Sequence, residues 1–165
     1  MKLLDLITQV KHYASLSELS EEDRALVEKS YQSAKNAYSP YSQFKVGAAI
    51  LLDNGNIVTG NNQENAAYPS GLCAERTAAF YASSQFPDTP FLKIAITSIS
   101  PDRKGTKPVS PCGSCRQSLL EYEQKFNQKI EVILAAENGE VYVFESITQL
   151  LPYSFGASDL GTINH

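Results

Sequence analysis

Basic residues and long apolar runs are both scarce in this sequence, and each scarcity excludes a class of protein. Lys and Arg together number 14 of 165 residues, against 18 Asp and Glu, so the formal net charge is -4. A protein that neutralises nucleic-acid phosphates needs clustered basic residues, which this chain lacks. No apolar stretch is long enough to span a membrane. We therefore expect no nucleic-acid partner and no membrane partner, and a small or neutral ligand fits the charge better.

Histidine and cysteine are scarce as well. The chain has two histidines, His12 and His165, and three cysteines, Cys73, Cys112 and Cys115. The opening stretch "MKLLDLITQVKHYASLSELS" interrupts its apolar residues with polar ones at helical spacing, which predicts an amphipathic helix and not a signal peptide. Without an export signal we expect a cytoplasmic protein with reduced thiols, so metal binding or catalysis is a better explanation for the cysteines than disulfides.

The chain is long enough for one domain with a substantial core, and no shift in composition marks a second domain. We predict a helical extension over residues 1–20 and one domain over residues 21–165. Ser20 and the acidic residues after it predict a helix from about Glu21 to about Asn36. A second helix is expected from about Leu72 through Ala82, and a third begins at "PCGSC".

Five stretches predict strands. "FKVGAAILL" and "NIVTG" flank one Asn-Gly turn, "KIEVILAA" and "VYVFES" flank another, and "FLKIAITSIS" is typical of a buried strand. A two-residue turn at Asn138-Gly139 joins only antiparallel strands, because a parallel pair needs a crossover of about a dozen residues. The alternation of strands and helices predicts an α/β sandwich with a mixed sheet whose last two strands are antiparallel.

Two stretches, "SGLCAERTA" and "SPCGSCRQ", hold all three cysteines, each at the predicted first turn of a helix. Cys112 and Cys115 are three residues apart and share a helix face, so three thiolates could converge with Cys73 on one point. Three ligands and one open position is the arrangement of catalytic zinc, whereas structural zinc normally takes four protein ligands. A lone C-x-x-C motif is weak, however, and free cysteines are commonly small buried hydrophobic residues.

Glu75 makes the metal hypothesis more specific. A carboxylate at a helix start is favoured by the helix dipole alone. Next to a catalytic zinc it would instead accept a proton from the attacking water and later return it. Cys-x-Glu combined with Pro-Cys-x-x-Cys is more specific than either half, and it matches the signature of zinc nucleobase deaminases.

From about residue 37 to about residue 160 the sequence resembles the cytidine deaminase family, whose members act on free nucleosides. Four stretches carry the resemblance: "AYSPYSQFKVGAAI", "NNQENAAYPSGLCAERTAAF", "SPCGSCRQ" and "LLPYSFGASDL". It implies a three-layer α/β/α sandwich with a mixed five-stranded sheet and hydrolytic deamination of cytidine and deoxycytidine in pyrimidine salvage. It also implies one zinc per chain on Cys73, Cys112 and Cys115, with Glu75 as the proton shuttle, and a homotetramer with shared active sites.

The same resemblance implies a set of substrate-binding residues. Asn62 and Glu64 would hold the ribose hydroxyl, Phe44 would line the pocket, and the main chain around Ala66 would lie near the sugar, with Ala74 also at the substrate. Without the resemblance, an Asn and a Glu after a strand are ordinary loop residues, and a phenylalanine packs in a core or an interface. A carboxylate beside the sugar would repel a phosphate and so favour nucleosides over nucleotides.

Three further residues have implied roles at the site or between subunits. Phe155 resembles the phenylalanine that a neighbouring subunit lays against the pyrimidine, and Tyr68 resembles a residue at subunit contacts. Arg76 could donate hydrogen bonds to a cysteine sulfur and, with the two helix N-termini, offset the negative charge of three thiolates on zinc. The alternative for Arg76 is a solvated surface charge.

Four other functions remain open on sequence grounds. A structural zinc module would need a fourth protein ligand, and a deaminase of bases within nucleic acid would need a basic groove with aromatic platforms. A deaminase of another aminonucleoside, such as an antibiotic, should lack "NQENAAY". A redox protein using Cys112 and Cys115 would need neither Glu75 nor a third cysteine.

Overall fold

A mixed sheet of six strands, in the order β1-β6-β5-β4-β2-β3, forms the middle layer of the molecule. The structure is a computed structural model and describes residues 1–101 and 107–161. The strands are β1 (Lys11–Tyr13), β2 (Lys45–Leu52), β3 (Ile57–Asn61), β4 (Phe91–Ile99), β5 (Glu131–Ala135) and β6 (Val141–Phe144). β4 and β5 pair in parallel, and the other neighbours pair antiparallel. The predicted mixed sheet is confirmed, and so is the antiparallel pairing of the last two strands.

Helices cover both faces of this sheet, which confirms the three-layer α/β/α sandwich. The helices are α1 (Glu21–Lys35), α2 (Ala74–Gln85) and α3 (Gly113–Phe126). The apolar side of α1 packs with one face of the sheet, and the apolar sides of α2 and α3 pack with the other. Alternating residues of the buried strands supply the two cores, because successive side chains of a strand point to opposite faces. None of the described helices has the length and apolar character needed to cross a membrane.

The prediction of five strands was wrong, because the sixth strand forms inside the segment predicted as an amphipathic helix. β1 pairs with β6 at the edge of the sheet, and residues 1–10 have no regular secondary structure. A short helix is marginal in water unless its apolar stripe finds a partner, and here the side chains of Leu3, Leu6 and Ile7 are exposed. The edge of β6 offers unpaired backbone groups, and the chain satisfies them with β1.

Both Asn-Gly hairpins are present, but their loops have three residues instead of the expected two. In the first, the N–H of Leu52 donates to the carbonyl of Asn56, and Gly55 alone has a positive φ, of 80°. In the second, Ala136 donates to the carbonyl of Glu140, and Gly139 has φ 93°. A type I turn followed by a left-handed glycine produces this loop, whereas a two-residue type I′ turn needs positive φ at both positions.

Two glycines bring the helices close to the sheet. A Cβ added to Gly47 would lie 1.9 Å from the carbonyl oxygen of Ser30 in α1. A Cβ added to Gly60 would lie 2.4 Å from the backbone nitrogen of Ala78 in α2. Only a residue without a side chain lets two backbones approach this closely. Gly60 therefore fixes how near α2, which carries Glu75, lies to β3.

Candidate functional site

The starts of α2 and α3 meet because of the sheet topology. β3 and β4 each pair antiparallel with β2, so they run in the same direction and end at the same edge of the sheet. α2 follows β3 and α3 follows β4 in the chain, and Cys73 and Cys112 are their N-cap residues. Two helix N-termini therefore point toward one place and supply positive potential there.

The three thiols converge at this place, as the motifs predicted. The Sγ atoms of Cys73 and Cys112 are 3.9 Å apart, those of Cys112 and Cys115 are 3.5 Å apart, and all three lie within 4.8 Å of one another. A tetrahedral zinc with bonds of about 2.3 Å requires sulfurs about 3.8 Å apart, whereas a disulfide requires about 2.05 Å. The cluster therefore fits a zinc ion and not a disulfide.

The cluster offers three ligands in the described part of the chain. His12, one of the two candidates for a fourth ligand, lies on β1 with its Nε2 3.0 Å from a carboxylate oxygen of Glu140. His165 lies outside the described residues. Cys115 is buried and Cys112 is exposed, so the cluster is open on the side of Cys112. An exposed side with three protein ligands is typical of catalytic zinc.

Glu75 lies in the first turn of α2, two residues after Cys73, and is only 4% exposed. Burial raises the pKa of this carboxyl above its ordinary value, and the charge of Cys73 raises it further. A raised pKa brings a carboxyl closer to neutral pH, where it both accepts and donates protons effectively. The carboxyl is therefore suited to general acid–base chemistry beside the thiol cluster.

Arg76 contacts the cluster directly. A terminal guanidinium nitrogen of Arg76 donates to the Sγ of Cys73 at 3.9 Å, and its Nε is buried with no partner in the described chain. A hydrogen bond from Cys115 lowers the pKa of Cys73, and Arg76 lowers it further through a hydrogen bond and its charge. Cys73 is therefore held toward the thiolate form that binds a metal. Arg76 is half-buried in the site and is not a solvated surface charge.

A cleft of about 560 Å³ opens beside Cys73 and Arg76. Its other lining residues are Tyr41, Ser42, Asn62, Gln63, Glu64, Asn65, Tyr68, Gly71 and Leu72. The volume lies in the range of small-molecule sites. Three of the residues predicted to bind substrate or to lie at subunit contacts, Asn62, Glu64 and Tyr68, are thus brought together next to the cysteines.

Asn62 and Glu64 both hydrogen-bond to residues 41–46, which form the loop before β2 and the start of that strand. The side-chain oxygen of Asn62 accepts from the N–H of Val46 at 2.7 Å, and its nitrogen donates to the carbonyl of Phe44 at 3.0 Å. Glu64 accepts from the N–H groups of Tyr41 at 2.9 Å and Ser42 at 3.2 Å, and from the hydroxyl of Ser42. The two side chains fix this loop against the segment that follows β3. The sequence-based prediction gave no role to Ser42, since nothing in "YSQF" marks it.

The pKa of Glu64 lies below its ordinary value. The hydrogen bond from the Ser42 hydroxyl is the largest cause, burial opposes it, and the backbone N–H groups of Tyr41 and Ser42 lower the pKa further. Glu64 therefore stays ionised at neutral pH and gives the cleft a fixed negative charge.

None of the other residues predicted to bind substrate lines the cleft of the described chain. Ala74 is fully buried at the start of α2, and Ala66 is exposed on the segment between β3 and α2. Phe44 is partly buried immediately before β2. Phe155 is 59% exposed, does not line the cleft of its own chain, and is held by its carbonyl, which accepts from the side chain of Gln117 at 3.0 Å.

The sequence-based prediction gave no role to Arg116, directly after Cys115. Its guanidinium donates to the carbonyls of Pro111 and Leu150 and to the hydroxyl of Ser110. A cation near a helix N-terminus is opposed by the helix dipole, so its position in "SPCGSCRQ" was a signal that it has a specific partner.

Comparisons with known proteins agree with this geometry. The sequence model of one protein family, the cytidine and deoxycytidylate deaminase zinc-binding region, matches residues 20–128 of this chain. A cytidine deaminase of Sporosarcina psychrophila is 40% identical over 135 residues, covering 82% of this chain and 92% of that protein. A cytidine deaminase of Halalkalibacterium halodurans is 38% identical over 135 residues, and the match covers 82% of this chain and 95% of that protein.

Solved structures show the same fold. The cytidine deaminase of Burkholderia pseudomallei superposes with a TM-score of 0.71 at 37% identity, covering 83% of this chain and 100% of that one. The cytidine deaminase of Mycobacterium tuberculosis superposes with a TM-score of 0.65 at 32% identity, and the match covers 83% of this chain and 99% of that one. The cysteine cluster accordingly fits one zinc per chain. The chain belongs to the cytidine and deoxycytidylate deaminase family of zinc-dependent hydrolytic enzymes.

Proposed function

We propose that this chain deaminates cytidine and deoxycytidine by hydrolysis, consuming water and releasing uridine or deoxyuridine and ammonia. One observation carries the proposal: a three-thiol cluster, open on one side, lies beside a buried carboxyl and next to a cleft of nucleoside size. The relatives named cytidine deaminase supply the substrate class. The reaction would belong to pyrimidine salvage in the cytoplasm.

The three cysteines would hold the zinc, which when bound supplies the Lewis acidity that makes hydroxide available at neutral pH. Glu75 takes the proton that the attacking water loses. It delivers this proton to N3 of the pyrimidine, then takes the second proton from the hydroxyl now on C4 and gives it to the departing amino group, which leaves as ammonia, so one carboxyl serves each step. Its raised pKa supports this role, because a carboxyl at its ordinary value would return the proton poorly at neutral pH.

Arg76 would keep three thiolates from weakening the metal as a Lewis acid. Three thiolates on one divalent ion leave a net negative charge. The guanidinium contact with Cys73 and the N-termini of α2 and α3 place positive charge against it. Arg76 thus acts on the electrostatics of the site.

The sugar would bind at Asn62 and Glu64, near the main chain around Ala66. Glu64 stays ionised beside the cleft, because its pKa is lowered mainly by Ser42. A fixed carboxylate attracts hydroxyl donors and repels a phosphate. We therefore propose that the substrate is a nucleoside and not deoxycytidylate.

Phe155 would stack on the pyrimidine in a neighbouring chain of a homotetramer, with Phe44 lining the pocket and Tyr68 at the subunit contact. Support comes from exposure: Phe155 is 59% and Tyr68 78% exposed in one chain, and Phe155 lies outside its own cleft. Exposed aromatic rings at a site suit contact with a base or a second subunit.

Metal analysis combined with an ultraviolet assay on the purified protein tests the proposal. We expect one zinc per chain, loss of the cytosine absorbance with cytidine and deoxycytidine, and release of one ammonia per nucleoside. Deoxycytidylate should be turned over far more slowly. Full zinc occupancy without turnover of either nucleoside would refute the function, and rapid turnover of deoxycytidylate would refute the role given to Glu64.

A further inference from the structure

Arg116 joins two segments that are far apart in the sequence. Its Nε donates to the carbonyl of Pro111 at 2.8 Å, and one terminal nitrogen donates to the carbonyl of Leu150 at 2.7 Å. The other terminal nitrogen donates to the hydroxyl of Ser110 at 2.8 Å. All three nitrogens of one planar group are therefore engaged, two of them on backbone carbonyls.

One side of this bridge holds the turn that presents a metal ligand. Pro111 is buried and directly precedes Cys112, whose Sγ belongs to the thiol cluster. Cys112 itself is exposed, so packing contributes little to its position. Within the described chain, Arg116 holds the turn before this ligand by two hydrogen bonds, one to the backbone carbonyl of Pro111 and one to the hydroxyl of Ser110.

The other side of the bridge holds the segment that leads to Phe155. Beyond Leu150 this segment runs along α3, where Gln117 donates to the carbonyl of Phe155 and Gln124 accepts from the N–H of Ala157 at 3.3 Å. Arg116, Gln117 and Gln124 therefore anchor residues 150–157 to the helix that carries Cys115.

We propose that Arg116 is a positioning residue that couples metal retention to the placement of Phe155, by tying the turn at residues 110–112 to the segment at residues 150–157. The role of Phe155 in this statement rests on the proposed function, but the coupling itself does not. Arginine suits the task because its rigid fork donates in several fixed directions at once, which the single ammonium of lysine cannot do.

The test compares zinc-loaded Arg116→Gln and Arg116→Lys with wild type. Arg24→Gln, an exposed arginine of α1, is the matched control. Two readouts are independent of activity: the rate at which a chromophoric chelator removes zinc, and hydrogen exchange in peptides covering residues 107–112 and 150–157. In Arg116→Gln we expect zinc release about tenfold faster or more, the scale of a lost charge-assisted hydrogen bond, with faster exchange in both peptides. Arg24→Gln should match wild type.

Steady-state kinetics with zinc saturated adds a readout that general loss of structure would not give. Because the bridge positions a residue that binds the base, KM for cytidine should rise about tenfold in Arg116→Gln while kcat changes by less than about threefold. Arg116→Lys should show the same pattern at smaller size, and if Arg116→Gln fails to fold, Arg116→Lys is judged by the same criteria.

Faster exchange in only one of the two peptides, or unchanged zinc release, would overturn the coupling. If Arg116→Lys matched wild type in zinc release and in hydrogen exchange, the guanidinium group would not be needed to bridge the two segments. If wild type does not deaminate cytidine, the proposed function fails, while zinc release and exchange still decide whether Arg116 couples the two segments.

Discussion

At the scale of single residues, the site depends on carboxyls whose surroundings differ. Glu75 is buried beside thiols and its pKa is raised, whereas Glu64 accepts three hydrogen bonds and its pKa is lowered. The same functional group is thus suited to proton transfer in one place and to a permanent charge in the other. Both assignments follow from burial and hydrogen-bond donors, which the sequence does not state.

Glu64 should contribute to stability in a pH-dependent way. Since its folded pKa is lowered, the contribution is complete above the ordinary carboxyl value of 4.5 and is lost as pH falls below it through the folded pKa. Denaturant unfolding of wild type and Glu64→Gln should therefore differ at pH 7, with the difference shrinking in the acid range below 4.5. Gln128→Glu, at an exposed position after α3, is a charge control. A difference that is the same at pH 7 and in that acid range would contradict the role of the carboxylate.

At the scale of elements, close packing between α2 and β3 positions the helix whose N-cap residue is Cys73. Replacing Gly60 by alanine puts a Cβ 2.4 Å from the backbone of Ala78, so α2 must move. We expect Gly60→Ala to lower the free energy of unfolding by about 1–3 kcal/mol, as overpacking commonly does, and to speed zinc loss. Thermal unfolding and a chelator assay measure both.

Gly113→Ala is the matched control: among the described residues beyond its chain neighbours and its own helix backbone, a Cβ at Gly113 meets no atom within 4 Å, and Gly113 directly follows Cys112. It should leave stability and zinc release near wild type. If Gly60→Ala is as stable as wild type, the close contact does not limit the position of α2.

Elements were predicted well from the sequence where a local pattern determines them. Ser20 accepts from the N–H of Asp23, and α1 begins at Glu21 as the capping pattern indicates. The prediction of a helix over residues 1–20 was wrong, because periodicity does not reveal whether an apolar stripe has a partner or whether a sheet edge lies within reach. Spacing likewise located the three thiols, while Arg116 was missed because its carbonyl partners are visible only in the folded chain.

At the scale of the whole molecule, the proposal needs more than one chain per site. We expect Phe155→Ala to weaken cytidine binding by roughly 1–3 kcal/mol, the scale of a lost base–aromatic stack, without loss of zinc. Co-expression of Phe155→Ala with Glu75→Ala chains should restore activity, because mixed oligomers contain sites with Glu75 from one chain and Phe155 from another.

Sedimentation at the assay concentration is the control for this experiment. A protein that sediments as a monomer and still deaminates cytidine at full rate would contradict the shared site, and so would mixed oligomers no more active than the parent variants.

The central claim is that the cysteines hold the metal and Glu75 performs the proton transfer, and zinc content measured alongside activity in Glu75→Ala tests it most directly. Substituting Cys112 by serine provides the comparison, since it removes a ligand. The account predicts that Glu75→Ala keeps one zinc per chain and its fold but loses nearly all deamination, whereas Cys112→Ser loses both metal and activity. Loss of zinc from Glu75→Ala, or substantial deamination by it, would contradict the account.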